Sequence, residues 1–330
     1  MKLSDELKSK NINFKNRIVM PPMATAKADK NGHVTEEILH YYEDKTKNKL
    51  FSTVIIEHCF VDVLGKASKN QTSIADDSTI DGMKKLANLV KSNDSNVVLQ
   101  ISHAGSSASE EVIGQQPVAP SAIKNPSKST TEIPRELTVE EIEQIIEKFV
   151  DAAVRAKKAG FDGVEIHSAH GYLLNQFLSP ITNKRTDEYG GDIDGRIKIH
   201  LEIIRKIREK VGENYPIFIR MGAGDYLEGG LSTEDSIHAA QEFVKAGVDV
   251  LDISGGMCMF SIDDQRAGFF DFLSKPIYEN VDVPVILTGG VKTGKDVEDI
   301  LNRGVCDLVG IGRSVFKDSN WIENEIKPLI

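Results

Sequence analysis

The stretch Thr138–His170, TVEEIEQIIEKFVDAAVRAKKAGFDGVEIHSAH, switches periodicity once, and the switch decides the fold. Its first part opens on a Thr138/Glu141 capping box and repeats Ile142, Ile145, Ile146 and Phe149 at helical spacing, which predicts an amphipathic helix to Ala159. Gly160 then stands where a helix end takes left-handed backbone, and Gly163–His167 follows as a short strand. A helix feeding directly into a strand is the unit of an α/β fold.

Working outward, the same alternation fills the chain. Short apolar, β-branched runs occur at 17–20 (RIVM), 52–57 (STVIIE), 97–102 (VVLQIS), 217–221 (IFIRM), 250–254 (VLDIS), 285–290 (VILTGG) and 308–312 (LVGIG). Consecutive apolar positions suit parallel strands covered by helices on their outer side. Helical patterns cover 36–47, 80–91, 195–211, 233–246, 294–302 and the C-terminal stretch. Eight strands alternating with about eight helices fit a (β/α)8 TIM barrel or a doubly wound open sheet, and the barrel matches the count. No linker or low-complexity tract divides residues 1–330, which are expected to form a single domain. Two extended loops, Ala104–Leu137 after the third strand and Gly171–Asp194 after the fourth, leave the carboxyl ends of their strands. That end is the mouth where barrel sites sit.

The 330 residues carry 40 Lys+Arg against 50 Asp+Glu, a formal charge of −10, which disfavours nucleic acid and anionic membranes as partners. No window approaches the roughly 20 apolar residues of a membrane span, and the N-terminus has no signal-peptide core. Cys59, Cys258 and Cys306 are isolated, so neither a disulfide framework nor a cysteine-ligated iron–sulfur cluster is expected. A cytoplasmic protein, open to homo-oligomerisation, fits these features.

Polar and glycine-rich groups cluster where strands end: Pro21, Pro22, Met23 and Ala24 after the first, Glu57 and His58 at the second, Gln100 on the third. His167, His170 and Tyr172 follow the fourth, and Arg220 ends the fifth. Gly289 and Gly290 follow the seventh strand, Gly312 and Arg313 the eighth. Loops after strands seven and eight are the usual barrel site for a phosphate, with Arg313 supplying charge; tight turns and a surface ion pair are the plainer reading of the same residues. Residues 289–295 spell G-x-x-x-x-G-K, yet Asp296 replaces the Ser or Thr that a P-loop needs, and no G-x-G-x-x-G fingerprint follows any strand. His167 and His170 read either as a metal pair awaiting a third ligand or as two donors polarising one substrate oxygen. Tyr172 reads as a proton donor or a strand cap. Arg220 needs an anionic partner, from Glu57 or from a cofactor.

The string 159–180, AGFDGVEIHSAHGYLLNQFLSP, continued by NKRTDEYGG at 183–191, closely resembles the Old Yellow Enzyme family of FMN-dependent ene-reductases. Residues 16–20, 99–105, 119–123 and 310–313 support it, so the resemblance runs over essentially the whole chain; the His-x-x-His form is similar to the bacterial branch. The resemblance implies noncovalent FMN at the barrel mouth, NADPH or NADH as electron donor, and an enone or related activated alkene as substrate. Carried over, Pro21, Pro22, Met23 and Ala24 would edge the flavin with the His58 backbone nearby. Gln100 would bond its pyrimidine end, Arg220 would stabilise the reduced ring, and Gly289, Gly290, Gly312 and Arg313 would hold its phosphate. His167 and His170 would grip the substrate oxygen, with Tyr172 as proton donor. Ala24 stands where relatives usually carry Thr or Cys. Length and cysteine count set the chain apart from larger relatives with an iron–sulfur cluster and a second flavin domain. The competing readings are a non-catalytic, redox-sensing flavoprotein and a flavin-free phosphate-binding barrel lyase or isomerase.

Overall fold

In the computed structural model, which describes residues 1–128 and 132–330, eight parallel strands close a barrel in chain order. They are β1 (Ile18–Met20), β2 (Thr53–Phe60), β3 (Asn96–Ser102), β4 (Gly163–Ser168), β5 (Ile217–Gly222), β6 (Val250–Ser254), β7 (Val285–Thr288) and β8 (Leu308–Gly310). The ring closes where Val309 of β8 registers with Ile18 of β1. Among the described residues seven helices follow β1 to β7 in turn, α1 (Glu36–Thr46), α2 (Ile80–Ser92), α3 (Val139–Lys158), α4 (Ile193–Val211), α5 (Thr233–Ala246), α6 (Asp271–Tyr278) and α7 (Gly294–Asn302), and two short helices, Arg313–Lys317 and Trp321–Glu325, follow β8. α3 has the expected capping box, with the Glu141 amide donating to Thr138 Oγ1 at 3.2 Å and the Thr138 amide donating to Glu141 at 2.9 Å. Among the described residues no helix is long and apolar enough to cross a membrane.

Side chains alternate across a strand, so positions two apart stack as layers inside a barrel. The lowest layer is apolar: Val19, Ile55, Val98, Phe218, Val250, Ile286 and Leu308 meet Ile12 and Phe14 in one buried cluster. Ile12 and Phe14 belong to an N-terminal hairpin pairing Leu7–Lys8 with Asn13–Phe14 antiparallel, and it plugs the barrel floor. Two residues further along the strands the layer turns polar, with Gln100, Glu165, Arg220 and Asp252 all buried. The strand β2 carries a register shift between Ile56 and Cys59 against β3, so Glu57 and His58 together face the single residue Gln100. Such a bulge re-aims neighbouring side chains.

Both long connections lie at the mouth. The one after β3 contains a short helix at Glu110–Ile113 and a strand pair, Val118–Ala119 with Arg135–Glu136; the one after β4 contains the helix Leu173–Leu178. Asn125 Nδ2 ties the two together, reaching Ser106 Oγ at 3.1 Å and the Gly171 carbonyl at 3.0 Å.

Candidate active site

The mouth holds a cavity of about 340 Å³ whose lining takes in Pro21, Pro22, Met23, Ala24 and His58. His167, His170, Tyr172 and Arg220 face it, and so do Gly289, Gly290, Gly312 and Arg313. Of the strand-end residues singled out from sequence, Glu57 and Gln100 lie outside the lining: Gln100 is buried beneath, and its Nε2 donates to Glu165 at 2.7 Å. A larger groove of about 960 Å³ lies at the opposite end, past the plugged floor, where Arg208 pairs with Asp249 at 2.7 Å.

The segment after β1 has two prolines and therefore few donors for a ladder. Glu57 holds it instead, accepting from the Thr25 amide at 2.5 Å and the Thr25 hydroxyl at 2.8 Å. Thr72 Oγ1 donates to the same carboxylate at 2.9 Å. Glu57 is thus not the partner of Arg220, correcting one of the two pairings drawn from sequence. Arg220 is paired by Asp252, with Nε 3.4 Å from Oδ2, and Asp252 neighbours Glu165. Burial, and then the repulsion of Asp252, drives the Glu165 carboxyl well above its usual range; burial also raises Asp252. Two carboxyls that close share one proton at neutral pH, which leaves the set electrically balanced against one guanidinium.

On the wall, His167 and His170 have ring centroids 5.2 Å apart, and Tyr172 lies 4.8 Å from His167. His170 is in the left-handed region at φ 59° and Gly171 follows at 67°, a turn that brings both imidazoles to the same cavity. Ser254 Oγ lies 2.8 Å from His170 Nε2 and fixes that ring. Burial lowers both histidines well below their ordinary values, with neighbouring positive groups adding to it, so both are neutral donors near pH 7. Burial pushes the Tyr172 phenol up to about 12. Among the described residues no group of three or more His, Cys, Asp or Glu is arranged to hold a metal ion.

At the far end, Gly290 has φ 70°, and a Cβ there would come within 2.3 Å of the Arg266 carbonyl oxygen. A Cβ on Gly312 would meet Met23 Sδ at 3.0 Å, so at both positions main chain alone forms the wall. Arg313 makes no ion pair among the described residues, and its guanidinium sits 5.9 Å from the centre of the Phe269 ring. The nearby helix end is taken: the amides of Lys292 and Thr293 both donate to Asp296 Oδ2 at 2.8 Å, so the residue that breaks the P-loop pattern caps α7. A flavin mononucleotide fits this donor set. Arg220 Nε, within ion-pair range of Asp252, makes no hydrogen bond among the described residues, and the glycine cradle and the unpaired Arg313 suit a phosphate.

Several site residues carried weaker sequence signals. Glu165 and Asp252 are acids inside apolar strands, the same signal that marked Arg220. Met259 and Phe260, from the loop after β6, also line the cavity, and nothing in their sequence context marks them; Ser254, at the end of β6, lines it too and belongs with the polar groups at strand ends.

Comparison with known proteins agrees with this geometry. Residues 2–327 match the model of the NADH:flavin oxidoreductase / NADH oxidase family. An NADH oxidase of Thermoanaerobacter brockii is 40% identical over 97% of this chain, which covers 51% of that protein. A 2-naphthoyl-CoA reductase structure superposes with TM-score 0.92 at 26% identity, covering 99% of this chain and 52% of the other. An old yellow enzyme homologue from Zymomonas mobilis superposes with TM-score 0.85 at 25% identity over 98% of this chain and 93% of its own. The chain therefore spans about half the length of the first two relatives. By its sequence over 2–327 and by its barrel, the chain belongs to the NADH:flavin oxidoreductase / NADH oxidase family, in which the Old Yellow Enzyme homologues share its fold.

Proposed function

We propose that the chain is an FMN-dependent NAD(P)H oxidoreductase that reduces the C=C bond of α,β-unsaturated carbonyl compounds. The observation that carries this is the meeting, in one cavity, of an arginine floor, a wall of two neutral imidazoles with a phenol, and a glycine cradle beside an unpaired arginine. FMN bound there supplies the two-electron carrier between nicotinamide and the β-carbon of the alkene. His167 and His170 hold the substrate oxygen and favour its developing negative charge; Tyr172, fully protonated at neutral pH, keeps a proton for the α-carbon. Arg220 places positive charge under the cavity where the reduced ring is anionic. The three free thiols suit a reducing cytoplasm.

Purification tests the reading. The protein should be yellow, release FMN on denaturation, bleach with NADH or NADPH, and recolour on adding an enone. A flavin that bleaches but never recolours would favour a redox sensor, and a colourless protein that takes up no added FMN would favour a flavin-free barrel.

Tyr172→Phe is expected to slow recolouring by an enone about 100-fold where proton delivery limits the rate, while bleaching by nicotinamide is spared. Stopped-flow measurement of the two half-reactions separates this from a structural role, which would slow both. Ala24, whose methyl group donates no hydrogen bond, lines the same cavity. Ala24→Thr is expected to raise the flavin potential by roughly 10 to 30 mV, the equivalent of one hydrogen bond of about 0.5 to 1.5 kcal/mol in a two-electron couple. Potentiometry on both proteins checks it, and an unchanged or lower value removes the role given to Ala24.

A further inference from the structure

The bulge in β2 delivers a third imidazole to the cavity. His58 packs edge-on to Tyr172 at 5.5 Å and nearly parallel to His167 at 6.3 Å, between ring centroids. Its proton position follows from its neighbours. Gln71 Oε1 accepts from the Ala67 amide at 2.6 Å, and a main-chain N–H can only donate, so the Gln71 amide cannot be turned the other way. Gln71 Nε2 then faces His58 Nδ1 at 2.6 Å and the His58 carbonyl at 3.1 Å, with Ser102 Oγ farther off at 3.5 Å. An Nδ1 that accepts carries no proton, which places the proton of the neutral ring on Nε2. Nε2 has no partner among the described residues and is not enclosed by protein atoms, while the ring lines the cavity, so this donor is open to a ligand. Burial lowers His58 to about 4, so the ring stays neutral at working pH.

We propose that His58 is a specificity-determining residue, and Gln71 its positioning residue: the Nε2–H donates to a second acceptor atom of the ligand, apart from the oxygen held by His167 and His170. The ligands favoured are those with a second carbonyl or similar acceptor across the reacting carbons, because a site built to hydrogen-bond a group rejects the analogue that leaves its donor unpaired. The inference rests on the proposed function only for what occupies the cavity; the tautomer does not depend on it.

Two measurements test it. In [15N]histidine-labelled protein at neutral pH, with and without FMN, His58 should show a protonated Nε2 and an unprotonated Nδ1. Gln71→Glu, whose carboxylate can only accept, should reverse that assignment. A protonated Nδ1 in the unaltered protein overturns the proposal. In the FMN-loaded protein, 4-hydroxybenzaldehyde and 4-methylphenol serve as probes with and without a second acceptor, followed by the flavin absorbance change. The ratio of their affinities should fall about tenfold or more in His58→Phe, which keeps a flat ring, and fall in the same direction in Gln71→Glu. A ratio unchanged in both variants overturns the role of His58. Loss of binding for both phenols in the unaltered protein would count against the proposed function and remove the ligand role of His58 with it, while the labelled-histidine spectrum reports the tautomer separately.

Discussion

The double variant His167→Ala/His170→Ala is expected to lower enone-driven reoxidation of the reduced protein by at least about 100-fold, because removing even one donor from a developing oxyanion typically costs that much. The loss should fall on reoxidation. Phenol ligands should also lose their long-wavelength absorbance band over oxidised flavin, since in anionic form they place negative charge against the same two rings. The sign of the pH dependence follows from the lowered histidine values. Both rings are already neutral well above their own titration, so between about pH 6 and 8 they contribute no pH dependence to the rate; a mechanism needing imidazolium would speed up as pH falls. Rapid mixing of reduced protein with an enone across that range reads both features. Retained turnover and a retained phenol band in the double variant would show that the pair does not hold the substrate oxygen.

Arg220→Met is expected to destabilise the protein without any cofactor by about 3 to 5 kcal/mol at neutral pH, the usual effect of removing one partner from a buried ion pair. Asp252 and Glu165 would then face each other, both buried, with no guanidinium beside Asp252. Their answer is to take up a second proton. In the native protein Arg220 holds one carboxylate ionised, so its stabilising effect is present above the range where that group titrates and is lost as pH falls through it. The gap between native protein and variant should therefore shrink as pH falls toward about 6, the value to which Asp252 is raised, and stay level below it. Urea unfolding of both proteins without FMN, from pH 5 to 8, gives the difference directly. A gap that stays constant with pH would mean that the loss comes from packing of the side chain and not from its charge.

Much of this was legible in the sequence, and the exceptions share a cause. The strands and α3 announced themselves because apolar burial imposes a period on many residues at once. α6 was missed: it is eight residues long, holds Pro276 inside it, and starts at Phe270 with no side-chain cap. The floor hairpin has two residues per strand, too few for any period. The position of His167, His170, Tyr172 and Arg220 at one mouth followed from their places at strand ends. The partner of Arg220 did not, because Glu57 and Asp252 are both acids near strand ends and only the β2 bulge sends Glu57 to Thr25 instead. Gln71 gave no signal at all, since its effect depends on an amide four residues earlier and on a ring thirteen residues away.

The plug formed by Ile12 and Phe14 also governs traffic. A barrel sealed at one end has a single door, and a molecule of nicotinamide size that enters by it occupies the space the alkene needs. Under the proposed function, reductant and oxidant queue for one threshold and exclude each other. Steady-state rates should then give parallel lines in double-reciprocal plots, and each compound at high concentration should act as a competitive inhibitor against the other. Intersecting lines would mean that both are aboard at once and that they do not share one cavity.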